Sequence, residues 1–96
     1  MSPKNKIKLN ILRKKLDKLD YQLLKTVKKR SEIIKKVISL KSYKNEIVDK
    51  KRISTILRKI RKESLNQNID PKITQRIWKN MIWSYIDFER RIFKKK

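Results

Sequence analysis

From Ile7 to Lys41 the chain carries one helical hydrophobic repeat, with no proline or glycine to interrupt it. Its apolar stripe is Leu12, Leu16, Leu19, Leu23, Val27, Ile34 and Val37, at spacings of three and four with one gap. That spacing puts the side chains on one face of an α-helix. About 35 residues at about 1.5 Å each make a rod of roughly 50 Å. A compact chain of this size is only about 25 to 30 Å across. With 96 residues in all, two shorter helices of the same chain cannot cover such a stripe. It needs a partner, and a second copy of the chain is the economical one, with most of the core between subunits. The expected fold is therefore all-α, three helices per chain (one long, two shorter), in an intertwined homodimer. The alternative is a monomeric three-helix hairpin with the first helix kinked.

The other two helices are read from few punctuation marks. Pro71 follows Asp70, which places Asp at an N-cap and Pro at the first helical position. Ser64 to Asn68, just before, reads as a loop. Periodicity lapses again at Ser42 to Asn45, and Asp49 is a plausible first residue for the next helix. Helix two is expected from about Asp49 to Glu63, with Ile53, Ile56, Leu57 and Ile60 on one face. Helix three is expected from Pro71 to about Phe93, with Ile73, Ile77, Trp78, Met81, Ile82, Tyr85, Ile86, Ile92 and Phe93 as its stripe. No strand pattern competes, and residues 1–96 read as one domain. No apolar run approaches the 18 or so residues of a membrane span, and the N-terminus has no signal-peptide core. The expected compartment is the cytoplasm, with no membrane partner.

Composition removes several chemistries. There is no Cys, His or Gly. A disulfide framework, a thiolate nucleophile, a His-based triad, the usual transition-metal ligands and a glycine phosphate loop are all excluded. No metal and no cofactor is expected. Any chemistry must come from Arg, Lys, Asp, Glu, Tyr and hydroxyls. Thirty Lys+Arg face nine Asp+Glu, a net charge of +21. That charge and the run Lys94-Lys95-Lys96 admit a basic nucleic-acid-binding protein. Against it, the basic residues spread along every helix, and no recognition-helix turn is evident. Nucleic acid is not the expected partner.

Some charges fall on the face that should be core. The first stripe, continued past Val27, meets Arg30, then Ile34 and Val37, then Lys41. Eleven residues at about 100° each return within about 20° of three full turns, so Arg30 and Lys41 share a face. Arg13 lies about 100° round the helix from Arg30. It serves the same pocket more easily from a partner chain. Helix two adds Asp49 and Arg52, one turn apart. Helix three interrupts its stripe with Tyr85 and Glu89, four apart. Burial favours the neutral form of such a carboxyl, which can then donate a hydrogen bond. Buried charges are costly unless paired or used. Three cations facing two carboxylates leave surplus positive charge, which suits a small dianion.

The series Leu12-Arg13, Leu16-Asp17, Leu19-Asp20, Leu23-Leu24, Arg30, Val37 to Lys41 and Asp49-Lys50-Lys51-Arg52, followed by the Asp70-Pro71 helix start, resembles the all-helical chorismate mutase family, chorismate mutase type II. The resemblance runs from Leu12 to Phe93. It is specific in order and spacing, though each piece alone is weak. It implies an intertwined dimer of three-helix chains. It also implies a pericyclic reaction, the rearrangement of dianionic chorismate to prephenate on the route to phenylalanine and tyrosine, without cofactor or covalent intermediate. Such a site holds the reactive conformer and stabilises charge on the breaking ether oxygen. Carried onto this chain, the resemblance assigns the substrate carboxylates to Arg30 and to Arg13 of the partner chain. Lys41 contacts the side-chain carboxylate and the ether oxygen. Asp49 and Arg52 line the pocket. Glu89 stands where many relatives have Gln, bonding the ether oxygen, and can donate only when protonated. Ile53 stands where typical mutases have Glu, and Tyr85 where some relatives have a small hydroxyl residue. Both leave isochorismate pyruvate lyase, on the same fold, as the alternative, while Asp49 favours the mutase.

Overall fold

The computed structural model describes residues 1–94 and contains three α-helices: α1 (Pro3–Leu40), α2 (Lys50–Asn66) and α3 (Pro71–Ile92). A single 3-10 turn, Lys44–Glu46, lies between α1 and α2. Lys95 and Lys96 of the terminal lysine run lie outside the described residues. No helix among the described residues is long and apolar enough to cross a membrane.

Helix α1 begins earlier than its apolar repeat. The Ser2 hydroxyl accepts from the Asn5 amide at 3.2 Å, and the Ser2 carbonyl accepts from the Lys6 amide. Pro3 sits at the first helical position, where its missing N–H is no loss. Polar residues 3–6 therefore continue the helix that the stripe places from Ile7.

Two compact units make up the chain, Met1–Ile33 and Ile34 onward. The first unit is the N-terminal part of α1. Its stripe lies open: Leu16 is 57% exposed and Leu23 62%, and Leu12, Leu19 and Val27 are exposed too. Fully burying one such side chain is worth about 1.5 to 3 kcal/mol, so five of them represent a large stabilisation that this unit alone does not obtain.

The second unit holds the end of α1, the 3-10 turn, α2 and α3. Its core is Ile38, Ile47 and Ile86, each at most 5% exposed, with Val48, Ile53, Ile82, Ile92 and Phe93 packed against them. The buried position near the end of α1 is Ile38, whereas Val37 is 39% exposed. A step of four from Ile34, then three, leads through Ile38 to Lys41, and these three residues are the ones withdrawn from solvent. Ile34 and Lys41 of the expected stripe are thus withdrawn, and Ile38 rather than Val37 fills the buried position between them.

Helices α2 and α3 pack against each other. The face of α2 is as expected, with Ile53, Ile56, Leu57 and Ile60 half-buried. It continues to Ser64, which is 3% exposed and helical rather than in a loop. Polarity misled there because the hydroxyl is satisfied: Ser64 Oγ donates to the Ile60 carbonyl at 2.6 Å and meets Thr74 Oγ1 at 2.7 Å. The turn is closed by Asn68, at φ 58°. In a chain without glycine, Asn is the residue best able to take that left-handed position. On α3, Ile73 and Ile77 are exposed, contrary to the expected stripe. Thr74 and Gln75 take the inner positions, Thr74 by its bond to Ser64 and Gln75 by donating to the Leu57 carbonyl at 2.9 Å.

Candidate active site

Asp70 caps α3 as the sequence implies, its carboxylate accepting from the Lys72 amide at 2.9 Å. From that start α3 runs 22 residues and carries Tyr85, Ile86 and Glu89 in its last two turns. Ile86 anchors the core at 4% exposure, which draws Glu89, one turn on, inward to 6%. A carboxyl so buried needs a partner. Lys41 supplies it, with Nζ 3.6 Å from Glu89 Oε1. Lys41 follows the last residue of α1, where its amide donates to the Ile38 carbonyl and tightens the final turn. The structure thus joins two of the expected site residues across two elements. Tyr85 is half-buried one turn before Glu89, with its ring edge-on to Phe88 at 6.5 Å.

Ile53 lies half-buried in the first turn of α2, packed on the apolar core. It presents no polar group there. Asp49 and Arg52, expected to face inward, are exposed. Asp49 is the N-cap of α2 and its carboxylate accepts from the Arg52 amide at 3.0 Å. Capping turns the carboxyl toward the helix's own amides rather than toward the core. Asp49 also lines an open cleft with Lys41, Glu46, Val48, Lys50 and Lys51. Three lysines against two carboxylates give that cleft a surplus of positive charge.

In the first unit, Arg30 is half-buried and its Nε is screened from solvent. Residues 10–29 of the same helix are all exposed, and Ser31 beside Arg30 is half-buried with it. Arg13 is exposed.

Across residues 12–90 the chain matches the family model described as chorismate mutase type II. The chain belongs to the chorismate mutase type II family. Searches of curated proteins and of solved structures return no match. The span matched by the chorismate mutase type II family takes in all eight expected site residues, from Arg13 to Glu89. It also takes in Glu46, which sequence reading passed over. The signal was present: Tyr43-x-x-Glu46 has the spacing of a capping box, and Glu46 does bond back to the Tyr43 amide at 2.9 Å. The lapse of periodicity there drew attention to the break and away from the residue that closes it.

Proposed function

We propose that the protein is a chorismate mutase, an isomerase converting chorismate to prephenate in phenylalanine and tyrosine biosynthesis, acting in the cytoplasm as a homodimer. The observation that carries this reading is the Lys41–Glu89 pair, 3.6 Å apart and largely withdrawn from solvent. A lysine and a carboxyl facing each other can both address one ether oxygen, Lys41 as a cation and Glu89, once protonated, as a donor. Charge grows on that oxygen as the C–O bond breaks, and donors placed beforehand stabilise it.

Binding comes from the arginines. Arg30 and the partner's Arg13 hold the two substrate carboxylates, each suited to bidentate contact. Asp49, Arg52, Ile53 and Tyr85 are the further substrate contacts that the resemblance assigns, with Asp49 and Arg52 exposed in the single chain. The clamp fixes the reactive conformer, which lowers the entropic part of the barrier. No cofactor or metal takes part. The second copy has two functions: it covers the open stripe of the first unit, and it completes each site with Arg13.

Ile53 favours a second reading. It packs against the cluster of Ile38, Ile47 and Ile86 and offers no polar group, whereas the resemblance puts a Glu for the ring hydroxyl at this position in typical mutases. Isochorismate pyruvate lyase activity is therefore the alternative on the same fold. Purified protein incubated separately with chorismate and with isochorismate, with the products identified, tests both readings. Prephenate from chorismate is the expected result. Pyruvate and salicylate from isochorismate alone would give the lyase, and no turnover of either would overturn the enzyme reading.

A further inference from the structure

Lys41 lies one residue past α1, with its amide tied back to the Ile38 carbonyl at 3.2 Å, and beyond it the chain leaves the helix. The next two amides belong to Ser42 and Tyr43. Both donate to one oxygen, Glu46 Oε1, at 3.2 and 2.9 Å. The Glu46 amide returns a bond to the Tyr43 carbonyl at 3.0 Å, and the Ile47 amide donates to the Lys44 carbonyl. Ile47, the next residue, is 4% exposed and part of the core. Residues 42–47 therefore form a closed loop with one end fixed in the core and the other attached to Lys41. The carboxylate of Glu46 ties the two ends together.

We propose that Glu46 is a positioning residue, which places Lys41 by holding the Ser42 and Tyr43 amides. The inference rests on the role given to Lys41 in the reading above. Glu46 itself is exposed, so its bonds compete with water and contribute little to global stability. Their effect falls on geometry instead. A misplacement of about 1 Å can cost roughly 100-fold in rate.

Charge gives the proposal a test with opposite signs. Glu46 lines the same cleft as Lys41, Asp49, Lys50 and Lys51. If it acted only through its charge, removing it would strengthen the positive field, lower KM for a dianion and leave kcat unchanged. Glu46→Ala and Glu46→Gln would then behave alike. As a positioning residue it needs an acceptor oxygen, which Glu46→Gln retains and Glu46→Ala lacks.

The experiment measures kcat and KM for chorismate in wild type, Glu46→Gln, Glu46→Ala, Lys41→Ala and the Lys41→Ala/Glu46→Ala double variant, with folding checked by circular dichroism. The expected result is a kcat about tenfold or more lower in Glu46→Ala and within about twofold of wild type in Glu46→Gln. The double variant should be no worse than Lys41→Ala, because groups acting through one another are not additive. If Glu46→Ala does not fold, Glu46→Asp, which keeps the charge and loses the reach, carries the same expected loss. Equal kcat in wild type, Glu46→Gln and Glu46→Ala overturns the role of Glu46 while Lys41→Ala is inactive. Full activity in Lys41→Ala overturns the active-site reading itself.

Discussion

Glu89→Gln is expected to lower stability and raise activity on the alkaline side, two effects of opposite sign from one atom. The pair it breaks is 3.6 Å long. At an effective dielectric near 20 the Coulomb attraction across that distance is about 4 to 5 kcal/mol. Desolvation of the two groups offsets much of it. The Lys41 side chain keeps 20% of its exposure and can recover some water, so the net loss is about 1 to 3 kcal/mol. Urea unfolding at neutral pH measures it. The chemistry moves the other way. A carboxyl can donate to the ether oxygen only in its protonated form. An amide donates at every pH. The kcat/KM of Glu89→Gln should stay level from about pH 5 to 8, while Glu89→Ala loses about 2 to 4 kcal/mol of transition-state stabilisation throughout, the scale of a missing oxyanion donor. Superimposable pH profiles for wild type and Glu89→Gln would refute the reasoning and remove α3 from the catalytic centre.

Ile86→Ala truncates a side chain at 4% exposure between Ile38 and Ile47. It should cost about 2 to 5 kcal/mol in urea or thermal unfolding, and a loss below about 1 kcal/mol would mean that this cluster is not the core. Leu16→Asp changes a residue 57% exposed in the single chain. Such a change is close to neutral in a monomer. In the proposed dimer it buries an unpaired charge, so sedimentation should show association weakened by roughly 100-fold or more, and an unchanged distribution would place the dimer contact elsewhere.

Helix type, number and approximate position were legible because periodicity and caps are local. Asp70-Pro71 named the start of α3, and the face of α2 followed from Ile53, Ile56, Leu57 and Ile60. Phase was harder. Val37 and Ile38 are both apolar and adjacent, and which of them is buried depends on where α3 packs, which one helix does not encode. Ser64 looked like loop because it is polar alone, yet it and Thr74 satisfy each other across two helices. Ile73 and Ile77 read as core for the opposite reason. The inward placement of Lys41 and Glu89 was legible because a charge interrupting a stripe is itself a signal. Asp49 and Arg52 read as inward by the same argument yet are exposed: at the mouth of a helix, a cap and an inward carboxyl are spelled the same way. Glu46 works through backbone amides, which leave almost no mark on composition.

The central claim is that two chains share each site. Arg13→Ala and Arg30→Ala, each nearly inactive alone, test it when unfolded together in equal amounts and refolded. Random pairing makes about half the dimers mixed. Each mixed dimer has one site with both arginines and one with neither, so about a quarter of all sites should be restored. Recovery of about a quarter of wild-type chorismate turnover is the expected result. Recovery no greater than the sum of the two separate variants, with dimers formed, would contradict a shared site.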